Sequence, residues 1–315
     1  MGAESFSMFK VAQIQDRLGS QMGMLMGNAL VSVVILAWNR KDDLRFTLEQ
    51  IRKSDYAPLE VIAVDNNSTD GTGDMIRAEF PETVYLPQTV NAGIAGYNVG
   101  FKAARGKYIV VLDSDSYPAV DAITRMVALF GKHPDAGIVA FDVHSTPQDA
   151  QVALGSAEQV TDIVGYHGAG AGFRREVFEK AGYWYEPFFL YFNEMDHALR
   201  AANAGYRIIH SPAIRAVHKS SAVARPSERG SYYYARNALW VIWRHYPFTD
   251  MLAATAHFLW LAVAESFFQR TPIFMKAVRD AFSGACPALR GRRPVSREVF
   301  GRIRIPLHLV FTRWA

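Results

Sequence analysis

The stretch YIVVLDSDSYP, Tyr108 to Pro118, runs five apolar side chains into two aspartates spaced by one serine. A strand end needs only one turn-former, so a second acid suggests chemistry. Two carboxylates placed this way can divide a metal-bound nucleotide between them. One takes a ribose hydroxyl, and the other takes a hard divalent cation, Mg or Mn, whose shell is completed by phosphates and water. Asp-Ser-Asp also makes Asx turns, so the pair gains weight only from its place after a buried strand. Asp65 closes a similar run, LEVIAVD, and is followed by the turn residues NNSTDGT. A carboxylate there can accept the imide N–H of uracil or thymine and would equally suit guanine; bonding to local backbone is the plain alternative.

These acids need a scaffold that presents strand ends. VSVVILA, LEVIAVD, TVYLP, KYIVVLD and AGIVAFDV read as short buried strands, with helices expected at 42–53, 70–80, 96–105 and 119–133 between them. Strand and helix alternating in this way predict an α/β fold, a Rossmann-like and mostly parallel sheet flanked by helices. Ligands of such sheets bind beyond the carboxyl ends of the strands, where AWNR, DNNSTDGT and DSDSYP lie. Further along come a small-residue loop, GYHGAGAGF, helices at 174–181 and 193–204, a strand pair around YRIIHSPAIRAVH, and helices to the end.

Six segments carry a family resemblance. VSVVILAWNR, VIAVDNNSTDGT, NAGIAGYNVGFKAARGKYIVVLDSDSYP, GAGAGFRREVFEKAGYW, FFLYFNEMDHALRAANAGYRI and AVHKSS, in this order, resemble the family-two inverting glycosyltransferases, especially the rhamnosyltransferase-like branch. The resemblance covers residues 31–247. It implies a GT-A fold, a divalent metal, and a nucleoside-diphosphate sugar donor such as dTDP-rhamnose or a UDP-sugar. It also implies a hydroxyl acceptor on a glycan or lipid-linked carrier. By matching positions, Asp65 would bind the base, Asp113 the ribose and Asp115 the metal. Residues 31–143 would then form the nucleotide-sugar half and 144–247 the acceptor half.

Inverting transfer needs a general base for the acceptor hydroxyl. In YFNEMDHALR, Glu194 and Asp196 are two apart, about 200° on a helix, so they cannot share one job. Asp196 has Arg200 one turn on, the spacing of an ion pair, whereas Glu194 has no cation at either neighbouring position. The resemblance matches Glu194 to the family's base aspartate, with Asn193 standing where the family has glutamate. Glu194 is the expected base and Asp196 the reserve. From residues alone His218, after AIRAV, is a strand-end histidine; the family position makes it a metal or diphosphate ligand, with Lys219 and Ser220 beside the phosphates. Asn91, Gly93 and Asn98 either reach the donor sugar and diphosphate or serve the loop and helix start. His144, His167, His197 and His210 have no such support.

GAGAGFRREVF is no dinucleotide fingerprint, because its glycines miss the third required position. LAWNRKDDL has no glycine and lacks a nucleotidyltransferase's phosphate loop. A catalytically silent nucleotide-sugar-binding homologue is the remaining rival, kept open by Asn193.

The chain has 315 residues, half of them apolar, and a net charge of +4 that is unevenly spread. Residues 251–315 hold 10 basic against three acidic side chains, which leaves 24 against 27 on the rest. That asymmetry favours an anionic surface as the tail's partner and excludes a nucleic-acid-binding body. Met251 to Phe268 is strongly apolar but interrupted by His257 and Glu265, short of the roughly 20 clean residues of a spanning helix. Its wide apolar face needs cover from lipid, from the GT-A body, or from a second protomer in a homo-oligomer. A single cysteine, Cys286, fits a reducing compartment, and the expected location is cytoplasmic, peripheral on the inner face of the membrane. Residues 1–30 receive no function, and 248–315 form a helical, basic appendage.

Overall fold

The computed structural model describes residues 28–147, 159–219, 228–302 and 307–311. Residues 1–27 and Ser220 therefore lie outside the described residues. Nine strands form one sheet: β1 (Val31–Ala37), β2 (Leu59–Asp65), β3 (Val84–Pro87), β4 (Tyr108–Asp113), β5 (Ser116–Pro118), β6 (Ala136–His144), β7 (Thr161–Ile163), β8 (Ala171–Arg174) and β9 (Arg207–His218). Their order is β3-β2-β1-β4-β8-β6-β9-β5, with β7 also on β9. The α/β arrangement with C-terminal helices is the expected one, although the sheet is mixed and not mostly parallel: four pairings are parallel and four antiparallel.

The runs of Val and Ile in β1, β2 and β4 are buried on both faces, as parallel strands require. Their registers are level: Ala37 sits opposite Asp65, and Leu36 opposite Asp113. Two expected acids are thereby set on either side of the end of β1. Helices Lys41–Ile51, Thr72–Glu79 and Ala122–Lys132 cover one face around Leu44, Met75, Met126 and Phe130. Tyr97, Phe101, Phe178 and Ala198 cover the other.

Two elements differ from expectation. The small-residue loop contains β8, which runs antiparallel between β4 and β6. Its glycines serve packing: a Cβ on Gly172 would stand 2.0 Å from the Met126 sulfur. The expected strand pair is instead one twelve-residue strand, β9, whose register against β6 shifts between Phe141 and Asp142. That shift absorbs the chain around Pro212, which cannot donate to a ladder.

A third core joins the body to the C-terminal helices. Phe188, Phe192 and Leu199 pack with Trp240, Trp243, Phe258, Phe274 and Phe311. Both tryptophans are core residues, and each indole N–H is bonded, to the Ala281 carbonyl and to Thr255 Oγ1. Helix Phe248–Phe268 is continuous for 21 residues, long and apolar enough by length and composition to cross a membrane. His257 and Glu265 interrupt its apolar run without breaking the helix.

Beneath this core the helices Asn193–Asn203 and Glu228–His245 are fastened by ions. Asp196 is 0% exposed. Its Oδ2 accepts Arg200 Nε at 2.9 Å, and its Oδ1 accepts Arg244 Nε at 2.8 Å and His245 Nε2 at 2.7 Å. Burial opposes ionisation, but Arg200, His245 and Arg244 outweigh it and hold Asp196 far below the ordinary carboxylate range. Arg200 continues inward to the carbonyls of Ala181, Gly182 and Tyr183. Asp196→Ala strands buried cations and is expected to cost about 3 to 5 kcal/mol, read as a lowered urea midpoint at neutral pH. A loss under about 1 kcal/mol would contradict this role.

Candidate active site

The turn after β4 is built before any side chain reaches outward. The Asp113 N–H donates to Ser116 Oγ at 2.8 Å, and Thr47 Oγ1 donates to the Ser114 carbonyl at 3.0 Å. β5 then pairs antiparallel with β9, setting Ser116 opposite His218. The Lys219 N–H closes the junction on the Asp115 carbonyl at 3.0 Å.

Asp113, Asp115 and His218 converge, with one ligand atom from each lying within 4.8 Å of the others. His218 Nε2 is 3.2 Å from Asp115 Oδ1 and 3.7 Å from Asp113 Oδ2. The remaining oxygens are tied elsewhere. Asp115 Oδ2 accepts Arg40 at 2.8 Å, and Asp113 Oδ1 accepts the Tyr97 hydroxyl at 2.9 Å. Each acid thus keeps one oxygen turned toward the imidazole. Two hard oxygens and one nitrogen, fixed by outer partners, suit a divalent cation such as Mg or Mn with open positions for phosphate oxygens.

Electrostatics agree with the geometry. Burial pulls Asp115 up, yet the His218 hydrogen bond and the charges of His218 and Arg40 hold it below the usual carboxylate range. His218 rises above its usual value, mainly through that hydrogen bond to Asp115. Burial raises Tyr97 strongly, and Asp113 adds to it, so Tyr97 stays a donor.

Glu194 opens the helix Asn193–Asn203, after Phe192 at φ 66°. Burial, the largest cause, lifts its carboxyl to about 7, with the Asp113 charge also raising it and nearby hydrogen bonds opposing. Gly168 leaves room for it, since a Cβ there would stand 2.7 Å from Glu194 Oε1. A carboxyl titrating near neutrality, beside a cation-ready cluster, can take a proton from a hydroxyl. Both Asp196 oxygens are committed to Arg200, Arg244 and His245, which leaves it poorly placed as the reserve.

Asp65 lies buried at the end of β2. Its Oδ1 accepts the Ser68 N–H at 2.9 Å and its Oδ2 the Tyr85 hydroxyl at 2.8 Å, so local bonding occupies part of the group. Asn91 Oδ1 accepts the Gly93 N–H at 2.8 Å and Asn66 Nδ2 at 3.1 Å, the bonding of an Asx-type turn. Asn98 is buried against Trp184, bonded to its carbonyl at 2.9 Å and its N–H at 3.0 Å. The Lys219 ammonium sits over the Phe46 ring, 3.2 Å from its centroid.

Three residues of the cluster carried no sequence expectation. Arg40 is brought in by the laced loops after β1 and β2, where Asn39 N–H meets Ser68 Oγ at 2.9 Å and Lys41 N–H meets Asp70 at 2.9 Å. Tyr97 begins a helix behind β4. His167 was set aside with the other histidines, yet its ring lies 5.7 Å from that of His218, and burial pulls it below its usual range. Only Arg40 had a usable signal, a cation just past the end of a parallel strand.

Residues 32–182 match the family described as Glycosyl transferase family 2. Among curated relatives, the Escherichia coli UDP-Glc:alpha-D-GlcNAc-diphosphoundecaprenol beta-1,3-glucosyltransferase WfaP is 35% identical over 100 residues, 31% of this chain and 40% of that protein. The chain spans about half or less of such relatives, reaching 49% of the probable glycosyltransferase YdaM of Bacillus subtilis at 28% identity over 58% of this chain. The mannosyltransferase PcManGT from Pyrobaculum calidifontis, solved with GDP-Man and Mn2+, superposes with a TM-score of 0.56 at 22% identity, covering 91% of this chain and 84% of that one. TarS 1-349 of S. aureus, solved with UDP-GlcNAc, gives 0.55 at 17% identity, covering 90% and 87%. Residues 32–182 are therefore similar to glycosyl transferase family 2, and the chain shares the GT-A fold of these structures.

Proposed function

We propose that the protein is an inverting glycosyltransferase that moves a sugar from a nucleoside-diphosphate sugar to a hydroxyl of a glycan or lipid-linked acceptor on the cytoplasmic side. The observation that carries this is the convergence of Asp113 Oδ2, Asp115 Oδ1 and His218 Nε2; Glu194, whose carboxyl is raised to about 7 by burial and by the Asp113 charge, supports it. Bound there, a divalent cation would neutralise the diphosphate as it leaves. Arg40 and Tyr97 hold the two aspartates in their ligating orientation. Asp113 would also accept a ribose hydroxyl. Asp65 keeps lone pairs beyond those taken by Ser68 and Tyr85, enough to accept a base imide. Asn91 shapes the loop on the sugar side.

Glu194 takes the proton from the acceptor hydroxyl, whose oxygen forms the new bond to the anomeric carbon as the bond to the diphosphate oxygen breaks. The donors dTDP-rhamnose and UDP-sugars come first to test. A UDP-glucose enzyme and a UDP-GlcNAc complex among the relatives and neighbours favour the UDP-sugars, and a GDP-Man complex widens the list to GDP-mannose. WfaP, by its name, glucosylates a diphosphoundecaprenol-linked GlcNAc, which supports lipid-linked acceptors as the first class to assay.

Thermal shift with dTDP, UDP and GDP, each with and without Mn, tests the donor site. One nucleotide at about 100 times its Kd should raise Tm by a few degrees, and only with metal. Asp115→Asn and His218→Ala should each abolish the metal-dependent part; a shift that survives both refutes the cluster as the metal site.

Glu194→Gln should lower kcat about 10² to 10⁴-fold while leaving nucleotide binding unchanged. In the wild type the acid limb of kcat/KM should fall above the ordinary carboxylate value of 4.5 and no higher than about 7. A limb below 4.5, or a variant of wild-type activity, assigns the base elsewhere. Nucleotide binding without turnover on any acceptor would favour the silent homologue.

The same shift sets a stability sign. A carboxyl raised from 4.5 to about 7 contributes fully below pH 4.5 and loses that contribution as pH rises through 7. Glu194→Gln in metal-free buffer should therefore gain Tm between those limits and hold a plateau above pH 7. Equal melting curves at pH 5 and pH 8 would contradict the burial of the charge.

A further inference from the structure

Helix Phe248–Phe268 is apolar on nearly every side, yet among its residues only Phe258 and Ala262 are buried. Leu252, Trp260, Val263 and Phe267 are all more than half exposed, from 53% at Leu252 to 80% at Phe267. With exposed Ala256 they recur at spacings of three and four, so they form one stripe on the outer face. At about 1.5 Å per residue the stripe runs for roughly 22 Å. No acid interrupts it. Asp250 turns to Arg297 at 2.6 Å, and Glu265 accepts the Gln269 amide at 2.8 Å on the side that meets Phe311. A continuous apolar stripe of this length marks a contact surface, unlike scattered exposed side chains.

Charge separates the two kinds of cover. Residues 251–315 hold 10 basic and three acidic side chains, and exposed Arg270, Lys276 and Arg279 follow directly on the stripe's C-terminal end. A second copy of the chain would set one basic region against another. Anionic headgroups would neutralise the same charges. We propose that this face docks on an anionic lipid surface, with the helix lying in the plane of the headgroups and not crossing the bilayer.

The in-plane orientation follows from what holds the helix down. Its first turn is bound to Arg297 through Asp250, its middle packs Phe258 against Phe311 with ring centroids 4.7 Å apart, and Gln269 just past its end donates to the Phe311 carbonyl at 2.7 Å. Spanning would break all three and carry Glu265 toward hydrocarbon. Docking rests on these helices alone and is independent of the transfer chemistry.

The test is vesicle flotation of the full chain with phosphatidylcholine, alone and mixed with phosphatidylglycerol. The wild type should float with the mixed vesicles, less so at high salt, and should be released by an alkaline wash. Trp260→Glu with Val263→Glu should cut the bound fraction about tenfold or more, with Tm and the nucleotide thermal shift unchanged. If that pair lowers Tm, Leu252→Ser with Phe267→Ser takes its place. Failure of the wild type to float, or flotation unaltered by these variants, overturns the proposal. Resistance to the alkaline wash overturns the in-plane orientation. A dimer by light scattering that the variants dissociate, without vesicle binding, assigns the face to a second copy instead. A normal nucleotide shift in protein that does not float refutes docking alone; normal flotation with no nucleotide shift refutes the donor site alone.

Discussion

His218 is far from Asp115 along the chain, and the short antiparallel pairing of β5 with β9 closes that distance. β5 has only three residues, so its register is fixed less by its own ladder than by the turn beneath it, where Ser116 Oγ binds both the N–H and the carbonyl of Asp113. A one-residue slip would turn His218 to the other face of the sheet. The turn that spaces the two aspartates therefore also sets the imidazole against them. Parallel β1, β2 and β4 hold the other end of the arrangement, because their level registers put Asp65 and Asp113 on either side of Ala37.

Crowding several carboxyls at one strand edge raises a problem of like charge, which the chain solves by giving each a different partner. Asp115 is shared between Arg40 and His218, and Asp113 between Tyr97 and the open side of the cluster. Glu194 receives no cation, and burial pushes it toward neutrality. A cation at the cluster would remove the smaller contribution, the Asp113 charge, and leave the larger one in place. Carboxyls with separated affinities for protons are what general-base chemistry beside a diphosphate requires.

Much of this was legible in the residues. Apolar runs of β length alternating with helical segments placed β1, β2 and β4, and the polar residues past their ends located the site before any contact was known. What escaped was set by packing. Gly172 of β8 reads as part of a loop because glycine signals turns more often than close approach, and the Met126 sulfur, 2.0 Å from where its Cβ would stand, explains it. His167 and Tyr97 lay outside any recognisable spacing; the folded chain alone brings them beside His218 and Asp113. For Asn98 the sequence left donor contact and a helix-start role both open; the folded chain commits it inward, from the helix Tyr97–Ala103 to Trp184.

Glu194 and Asp196 show how two residues on one helix can differ in environment. Both begin the same helix, and both are strongly affected by burial. For Asp196 the desolvation is matched by Arg200, Arg244 and His245, and a buried acid so compensated is locked in its charged state with nothing left to exchange. Glu194, only partly exposed, has no cation opposite it, so desolvation outweighs its hydrogen bonds and raises its carboxyl to about 7. The angular step of about 200° between them turns the second away from the ions that anchor the first. Fixing Asp196 to helix Glu228–His245 thereby fixes the helix that presents Glu194, which is positioned by partners it does not itself touch. An acid with its full set of partners belongs to the scaffold. The acid two residues away lacks a cationic partner.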